Sequence, residues 1–440
     1  MLGDEHDILT SRSGQKRSHA HARLLGLDVS KIAFLSFPEH GHINPTLGLV
    51  RELVRAGHDV LYYAGAPFRE PVAATGAEFR DYGVALPAME LGQNLVHSTN
   101  IMFERADILY ERMFDELAAM RPDLIIHDGV CGWAKCIAAY LKIPAVSSIS
   151  SFAMNESILK SLNTPGETLK FFYYLLLTPH GKKLGALIAK QHERLQKCGL
   201  PVPPKGRIDL VDFSTAPEKL NIVYATRDWQ PQGETFDDTY KFIGPSIERE
   251  SERGSDGNGF DFDSGGKPLV YLSMGTILNR NVQLYRDCFG ALRDLDVRVV
   301  VSAGDGARLL SGADVPRNVS VFPSVPQLQV LERTDLFISQ GGMNSVTEAM
   351  VFQVPMILIP VTGEQALNAR RVAEAGAGIV LRKLTPGGLR AAVQTILGDP
   401  QYRQRSAEVS QSFRNAPGVA YAAQEILRYA GLEVRQARAS

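Results

Sequence analysis

From residue 31 onward, short apolar runs alternate with longer stretches whose apolar residues recur every three or four positions. IAFLSF (32–37) reads as a strand that closes on the polar loop PEHGH. Behind Pro45, the residues Leu47, Leu49, Val50, Leu53 and Val54 fall on one helical face, and Gly57 supplies a stop signal. DVLYYAG then reads as a second strand. This β-α-β opening demands a parallel sheet with helices on its faces. The alternation continues with a helix over 101–120, the strand DLIIHD (123–128), a helix over 132–141 and the strand IPAVSSI (143–149). Residues 150–200 are irregularly helical and rich in bulky apolar side chains, among them Phe152, Met154, Phe171, Phe172, Tyr173 and Tyr174, and are expected to cover a pocket.

The stretch ERESERGSDGNGFDFDSGGK (248–267) carries many charges and glycines and almost no apolar residues, the composition of a linker. A fresh α/β unit starts behind it. PLVYLSMGT is a strand, 282–295 a helix, VRVVVSAG the next strand, and VSVF, DLFISQGG, PMILIP and GIVL follow with helices between. The pattern predicts an α/β protein of two doubly wound, Rossmann-like parallel-sheet domains facing across a cleft. The expected divisions are a disordered leader at 1–30, an acceptor-side domain at 31–245, a linker at 246–267, a donor-side domain at 268–415, and a final helix at 416–440 that packs back on the first domain. In such sheets ligands bind at the carboxyl ends of the strands.

Composition narrows the function classes. With 47 basic and 48 acidic side chains the formal net charge is -1, which gives no reason to expect nucleic acid or an anionic membrane as partner. The four cysteines, Cys131, Cys136, Cys198 and Cys288, form no CxxC pair and no zinc spacing, and read as reduced thiols of a cytoplasmic protein. No apolar run approaches the roughly 20 residues that cross a bilayer. The leader SGQKRSHAHARLLG is polar and basic and lacks the apolar core of a signal peptide.

Three segments at strand ends carry candidate chemistry. His42, in GHINP, is placed where a neutral imidazole takes a proton from a substrate, or it is a plain loop histidine; His40 is the rival candidate. Asp128 ends LIIHD and either orients that imidazole or caps the helix over 132–141, while His127 points to the opposite side of the strand. The third is GGMNSVTEAM (341–350). Its two glycines admit close approach of a ligand, and the helix start behind them offers free N–H groups and a positive dipole end, the elements of a diphosphate seat. Ser345 adds a hydroxyl or caps the helix, and Glu348, one turn in, can bond ribose hydroxyls. Glu364 and Gln365, at the start of the next helix, can bind sugar hydroxyls or serve as ordinary first-turn residues.

Taken together, FPEHGHINPTLGLVRELVRAGHDVLYY and VPQLQVLERTDLFISQGGMNSVTEAMVFQVPMILIPVTGEQALNARRV resemble the N-terminal and C-terminal signatures of the UDP-glycosyltransferase family, in particular its bacterial macrolide and natural-product branch. The resemblance covers about residues 31–430. It implies a GT-B fold and an inverting, metal-independent transfer of a hexose, glucose first, from a UDP-sugar to a hydroxyl of a small hydrophobic acceptor. It makes His42 the general base and Asp128 its orienting partner. Thr276, Gln340, Gly341, Gly342, Asn344 and Ser345 then meet the diphosphate, Val325, Gln327 and Glu348 the base and ribose, and Glu364 and Gln365 the sugar. The nucleotide sugar is a co-substrate and no cofactor is permanently bound. The Asp-Phe-Asp at Asp261–Asp263 falls in the linker and is not expected to hold a metal. The expected assembly is a monomer or homodimer.

Two positions depart from the family pattern. Gln340 stands where a histidine usually precedes the Gly-Gly, and Ser324 where an aromatic ring usually stacks on uracil. Such stacking contributes roughly 1–3 kcal/mol in nucleic-acid binding. Both changes fall on the nucleotide side, so the alternatives are a dTDP-deoxysugar donor or a non-catalytic GT-B-like activator. A nucleotide-sugar epimerase of the same fold would need a more carboxylate-rich cleft.

Overall fold

The computed structural model describes residues 29–88, 95–162, 179–247, 265–275, 281–310 and 315–432. Most of the leader, Phe171 through Tyr174, the linker core with Asp261 and Asp263, and Thr276 lie outside the described residues. The first half builds a seven-stranded sheet from β1 (Lys31–Leu35), β2 (Asp59–Ala64), β3 (Glu78–Asp81), β4 (Leu124–Asp128), β5 (Ala145–Ile149), β6 (Asn221–Val223) and β7 (Tyr240–Phe242), in the order β3-β2-β1-β4-β5-β6-β7. The second half builds a six-stranded sheet from β8 (Leu269–Ser273), β9 (Arg298–Ser302), β10 (Val319–Phe322), β11 (Leu336–Ser339), β12 (Met356–Leu358) and β13 (Gly378–Val380), in the order β10-β9-β8-β11-β12-β13. The strands of both sheets pair in parallel. This is the GT-B arrangement of two Rossmann-like sheets.

The apolar runs work because each strand is buried on both faces. On β1, Ile32 and Phe34 join a cluster with Leu49, Val50 and Leu53 of the Leu47–Arg55 helix. Ala33 and Leu35 point the other way, to Leu109 and Met113 of the Leu95–Met120 helix and Trp133 of the Gly132–Leu141 helix. Period-two alternation thus feeds two separate helical layers. On β8, Tyr271 stacks on Phe337 of β11 with ring centroids 4.7 Å apart, while Val270 and Leu272 serve the opposite face.

In each sheet the strand order reverses once. The reversal lies between β1 and β4 in the first sheet and between β8 and β11 in the second. The loops leaving those strands diverge and open a crevice, which is where this architecture binds ligands. GHINP follows β1, Asp128 ends β4, and the Gly-Gly turn follows β11.

Several contacts join the halves. One apolar cluster contains Ile149, Phe152, Val223 and Trp229 from the first and Tyr271, Met343, Leu367 and Phe413 from the second. Arg371 donates to the carbonyl oxygens of Trp229 (3.0 Å) and Asp228 (2.5 Å). The chain then crosses back: the Gly418 N–H donates to the Ile243 carbonyl at 2.9 Å. The Gly418–Ala430 helix puts Ala422, Ala423, Ile426 and Leu427 against Leu49, Val50 and Leu53. Some elements differ from the sequence pattern. The helix expected at 101 already runs from Leu95, because Val96 is buried against Leu184 of the Pro179–Lys197 helix, a tertiary contact no local period reveals. The helix expected to reach 295 ends at Leu292. Among the described residues no helix is long and apolar enough to cross a membrane.

Gly244 lies where the two crossing segments touch. Its φ is +78°, and a Cβ there would sit 2.4 Å from the Ala416 Cβ. Gly57 has φ +93° with nothing within 4 Å. Gly57→Ala therefore incurs only the left-handed backbone cost, about 1–2 kcal/mol, whereas Gly244→Ala adds a clash between the halves. Thermal unfolding of both variants is expected to show the larger drop in midpoint for Gly244→Ala; equal drops would mean the crossing segments yield freely.

Candidate active site

His42 is held by the turn after β1. The loop tightens into a one-turn helix, His40–Ile43, followed by a 3-10 turn, Asn44–Thr46, so His42 lies on a helical turn where an open loop was expected. Thr46 fixes the turn: its hydroxyl donates to the Ile43 carbonyl and is 2.7 Å from the Tyr62 hydroxyl of β2. The two histidines part company here. His40 packs edge-on against Phe68 at 4.8 Å, and burial lowers its pKa against the pull of Glu39. His42 turns toward β4, and its Nδ1 lies 2.9 Å from Asp128 Oδ2.

Asp128 is 2% exposed at its side chain and has both carboxylate oxygens engaged. Oδ2 meets His42, and Oδ1 accepts from the Val130 N–H at 3.0 Å. The helix-cap alternative fails: the cap of Gly132–Leu141 is Cys131, with no side-chain hydrogen bond. His127 points away, with Nδ1 3.0 Å from the Asp128 carbonyl and Nε2 3.4 Å from Glu218. Ser150, just past β5, was missed as a site residue; its hydroxyl lies 3.1 Å from His42 Nδ1. Its position at a strand end beside β4 was the available signal.

Burial pulls the His42 pKa down. The charge of Asp128 and its hydrogen bond outweigh that, helped by Glu364 and Glu39, so the net pKa is raised above 6.5. Glu364 reaches toward this site from the second half, at the start of the Gly363–Glu374 helix. It is open to cleft water but walled by protein. That desolvation raises its carboxyl, opposed by the His42 charge and a hydrogen bond with Asn368.

The Gly-Gly turn leads directly into a helix start. Gly341 has φ +88°, and Asn368 donates to its carbonyl at 2.9 Å. Gly342 is the N-cap of the Met343–Val351 helix and no side chain caps it, so Ser345 lies inside the first turn and is not the cap. Asn344 and Ser345 are half-buried, and Asn344 and Glu348 share a pocket with Asn44, Pro45, Ser150 and Tyr224 of the first half. The helix start therefore faces the His42 turn across the cleft. Gln340 is 6% exposed. Its amide nitrogen fills the space above Gly275, 2.2 Å from where a Cβ would sit, and its Oε1 has no hydrogen-bond partner among the described residues.

Gln327 and Glu348 belong to one chain of bonds. Tyr271 donates to Gln327 Oε1 at 2.9 Å, and Gln327 Nε2 donates to Glu348 Oε2 at 2.5 Å. Tyr271 too was missed, since it reads as a plain strand residue. Val325 is half-buried on the apolar cluster, and Ser324 is exposed. Gln365 fulfils its ordinary helical role: its N–H meets the Thr362 hydroxyl, and its Oε1 accepts from the Val361 and Thr362 N–H groups in a capping box. Only its amide nitrogen is left for a ligand. No group of three or more His, Cys, Asp or Glu among the described residues could hold a metal.

An apolar cavity lies between the Leu95–Met120 and Pro179–Lys197 helices, with neither His42 nor Asp128 in its lining. Met102, Phe103, Val130, Trp133, Ile188 and Leu195 line it, with Arg207, Asp209 and Asp212 at its polar side.

Residues 286–428 match the family model described as Erythromycin biosynthesis protein CIII-like, C-terminal domain. The chain is 31% identical over 421 residues to the uncharacterized UDP-glucosyltransferase YojK of Bacillus subtilis, covering 93% of this chain and 100% of that protein. It is 34% identical over 406 residues to the NDP-glycosyltransferase YjiC of the same organism, covering 90% and 96%. Among solved structures, the glycotransferase of kitacinnamycin superposes with a TM-score of 0.78 at 27% identity, over 91% of this chain and 99% of that one. A switch-point site shared by two facing sheets, and likeness along nearly the whole length of glycosyltransferases, lead to one conclusion: the chain belongs to the natural-product glycosyltransferase family of GT-B fold.

Proposed function

We propose that the chain transfers a hexose, glucose in the first place, from a UDP-sugar to a hydroxyl of a small hydrophobic natural product, with inversion and without a metal. The observation that carries this reading is the His42–Asp128 bond of 2.9 Å at the crevice between β1 and β4. Asp128 holds Nδ1 as the protonated nitrogen, which leaves Nε2 to accept a proton from the acceptor hydroxyl. The acceptor oxygen attacks the anomeric carbon from the face opposite the nucleotide. The nucleoside diphosphate leaves toward the uncapped helix start at Gly342–Ser345, where preorganised N–H groups meet the developing charge. Thr276 and Gln340 add contacts to that diphosphate. Val325 flanks the base, the Gln327–Glu348 pair the ribose, and Glu364 with the Gln365 amide the sugar hydroxyls. A greasy aglycone such as a macrolide or polyketide is the acceptor class that the apolar composition of residues 150–200 suggests.

His42→Ala is expected to abolish transfer and leave UDP binding nearly unchanged in calorimetry; lost nucleotide binding would count against its role as base. A base must be neutral to act, and the His42 pKa is raised above 6.5. Turnover should therefore fall as pH drops through a value above 6.5. In Asp128→Asn the charge that raises this pKa is gone. Turnover should decrease by about 10²–10⁴-fold, and the acid limb should move to lower pH. An unmoved limb with full activity would leave Asp128 a purely structural carboxylate.

On the donor side, a histidine restored at 340 adds a charge-assisted hydrogen bond to the diphosphate, about 1.5–3 kcal/mol. Gln340→His should thus tighten UDP binding by about ten-fold or more below the pKa of the new histidine. No change would mean the seat is built for another group. Metal-free titration with UDP and dTDP identifies the nucleotide, and binding of neither would overturn the donor assignment. A chelator should leave the rate unchanged, and inhibition rescued by manganese would refute the metal-free mechanism.

A further inference from the structure

Two cysteines meet between the walls of the apolar cavity. Cys136 sits on the Gly132–Leu141 helix, whose start supplies Gly132 and Trp133 to that cavity. Cys198 lies one residue beyond the Pro179–Lys197 helix, which supplies Ile188, Gln191 and Leu195 from the other side. The two share one buried cluster with Leu195, edged by Tyr110 and Leu200. Cys136 and Tyr110 both pack against Cys198. Arg194 stands beside them, its guanidinium 4.1 Å from the Tyr110 ring centroid and bonded to Asp107 at 2.6 Å.

We propose that Cys198 is a peroxide-reactive modification site resolved by Cys136, and that the resulting reversible disulfide ties the two walls of the cavity together.

The thiols are polarised unequally. The neighbouring Cys136 thiol pushes Cys198 below the usual thiol range, against burial, and Tyr110 and Arg194 push the same way. Cys136, by its contact with Cys198 and by burial, is held far above the usual thiol range. Cys198 therefore gives up its proton more readily than Cys136, the order an attacking and a resolving thiol require. Cys198, just beyond a helix end, is 8% exposed, whereas Cys136 has no exposed surface. Cys131 and Cys288 are fully buried, and burial raises both, Cys288 to about 12.

The oxidant is hydrogen peroxide or another small peroxide. The Cys198 thiolate attacks one peroxide oxygen, the O–O bond breaks, and hydroxide leaves, giving the sulfenic acid. The Cys136 sulfur then attacks the Cys198 sulfur and the S–O bond breaks. Hydroxide leaves with the Cys136 proton as water. Two electrons have passed from the two sulfurs to the peroxide, and a dithiol reductant returns them.

The full-length reduced chain, treated with stoichiometric hydrogen peroxide at neutral pH, is expected to lose two hydrogens in its intact mass. Non-reducing digestion should yield one linked peptide joining Cys136 to Cys198, which dithiothreitol separates. In Cys136→Ser, dimedone should capture the Cys198 sulfenic acid; in Cys198→Ser, peroxide should leave the chain unmodified. Alkylation of Cys198 should reach half its limiting rate at a pH below that of an ordinary thiol. Cys131 or Cys288 reacting as fast as Cys198, or Cys198 advancing to the sulfinic acid while Cys136 stays free in the wild-type chain, would overturn the assignment.

Discussion

The hydrogen bond between His42 and Asp128 is the contact on which the site depends. It exists because β1 and β4 are neighbours at the point where strand order reverses, with Leu35 paired to His127 in register. One residue further along β4 stands Asp128, and seven residues beyond β1 stands His42. A carboxylate this deeply buried is tolerable only with its oxygens satisfied. Here the imidazole and the Val130 N–H satisfy it, so one ionic group both stabilises the turn and sets the basicity of the histidine.

The second sheet repeats this logic with backbone in place of acid and base. The crevice between β8 and β11 is flanked by Gly275 and Gly341, both at positive φ, and the Gln340 amide fills the space a side chain at 275 would claim. Glycine stands at 275 because the Gln340 amide takes the space of a side chain there, and at 341 because the backbone turns left-handed beside the Gln365 carbonyl. The nearby polar side chains are tied into structure before any ligand arrives. Gln365 completes a helix cap, and Gln327 bridges Tyr271 to Glu348. Such groups are held in place by the fold itself, and little side-chain entropy remains to be lost at them.

Neither crevice forms the site alone. The Met343–Val351 helix faces the His42 turn only because the halves are clasped by the shared apolar cluster, by Arg371 on the Asp228 and Trp229 carbonyls, and by the final helix folded back on the first sheet. Glu364 comes from the second half yet adds to the field that raises the pKa of His42 in the first. Glu364 is exposed, so solvent screens this coupling and it stays secondary to that of Asp128.

The strands, their parallel sense and the two-sheet plan were legible in the sequence. Fully buried strands need unbroken apolar runs, and amphipathic helices need a recurrent stripe. His42, Asp128 and the Gly-Gly turn could be singled out because they stand at strand ends, where this architecture exposes side chains and helix starts. Local pattern could not choose between His40 and His42, or between a capping and a pairing Asp128. Those choices depend on which residue β4 and Phe68 meet in space. It was equally blind to Ser150, to Tyr271 behind Gln327, to the cap that occupies Gln365, and to Cys136 meeting Cys198 across 62 positions of sequence. The sequence by itself determined the elements and their order, since secondary structure answers to short-range periodicity. Tertiary structure alone decided which polar atoms are paired, because hydrogen bonds and charge coupling act over a few ångströms between residues that the chain brings together only by folding.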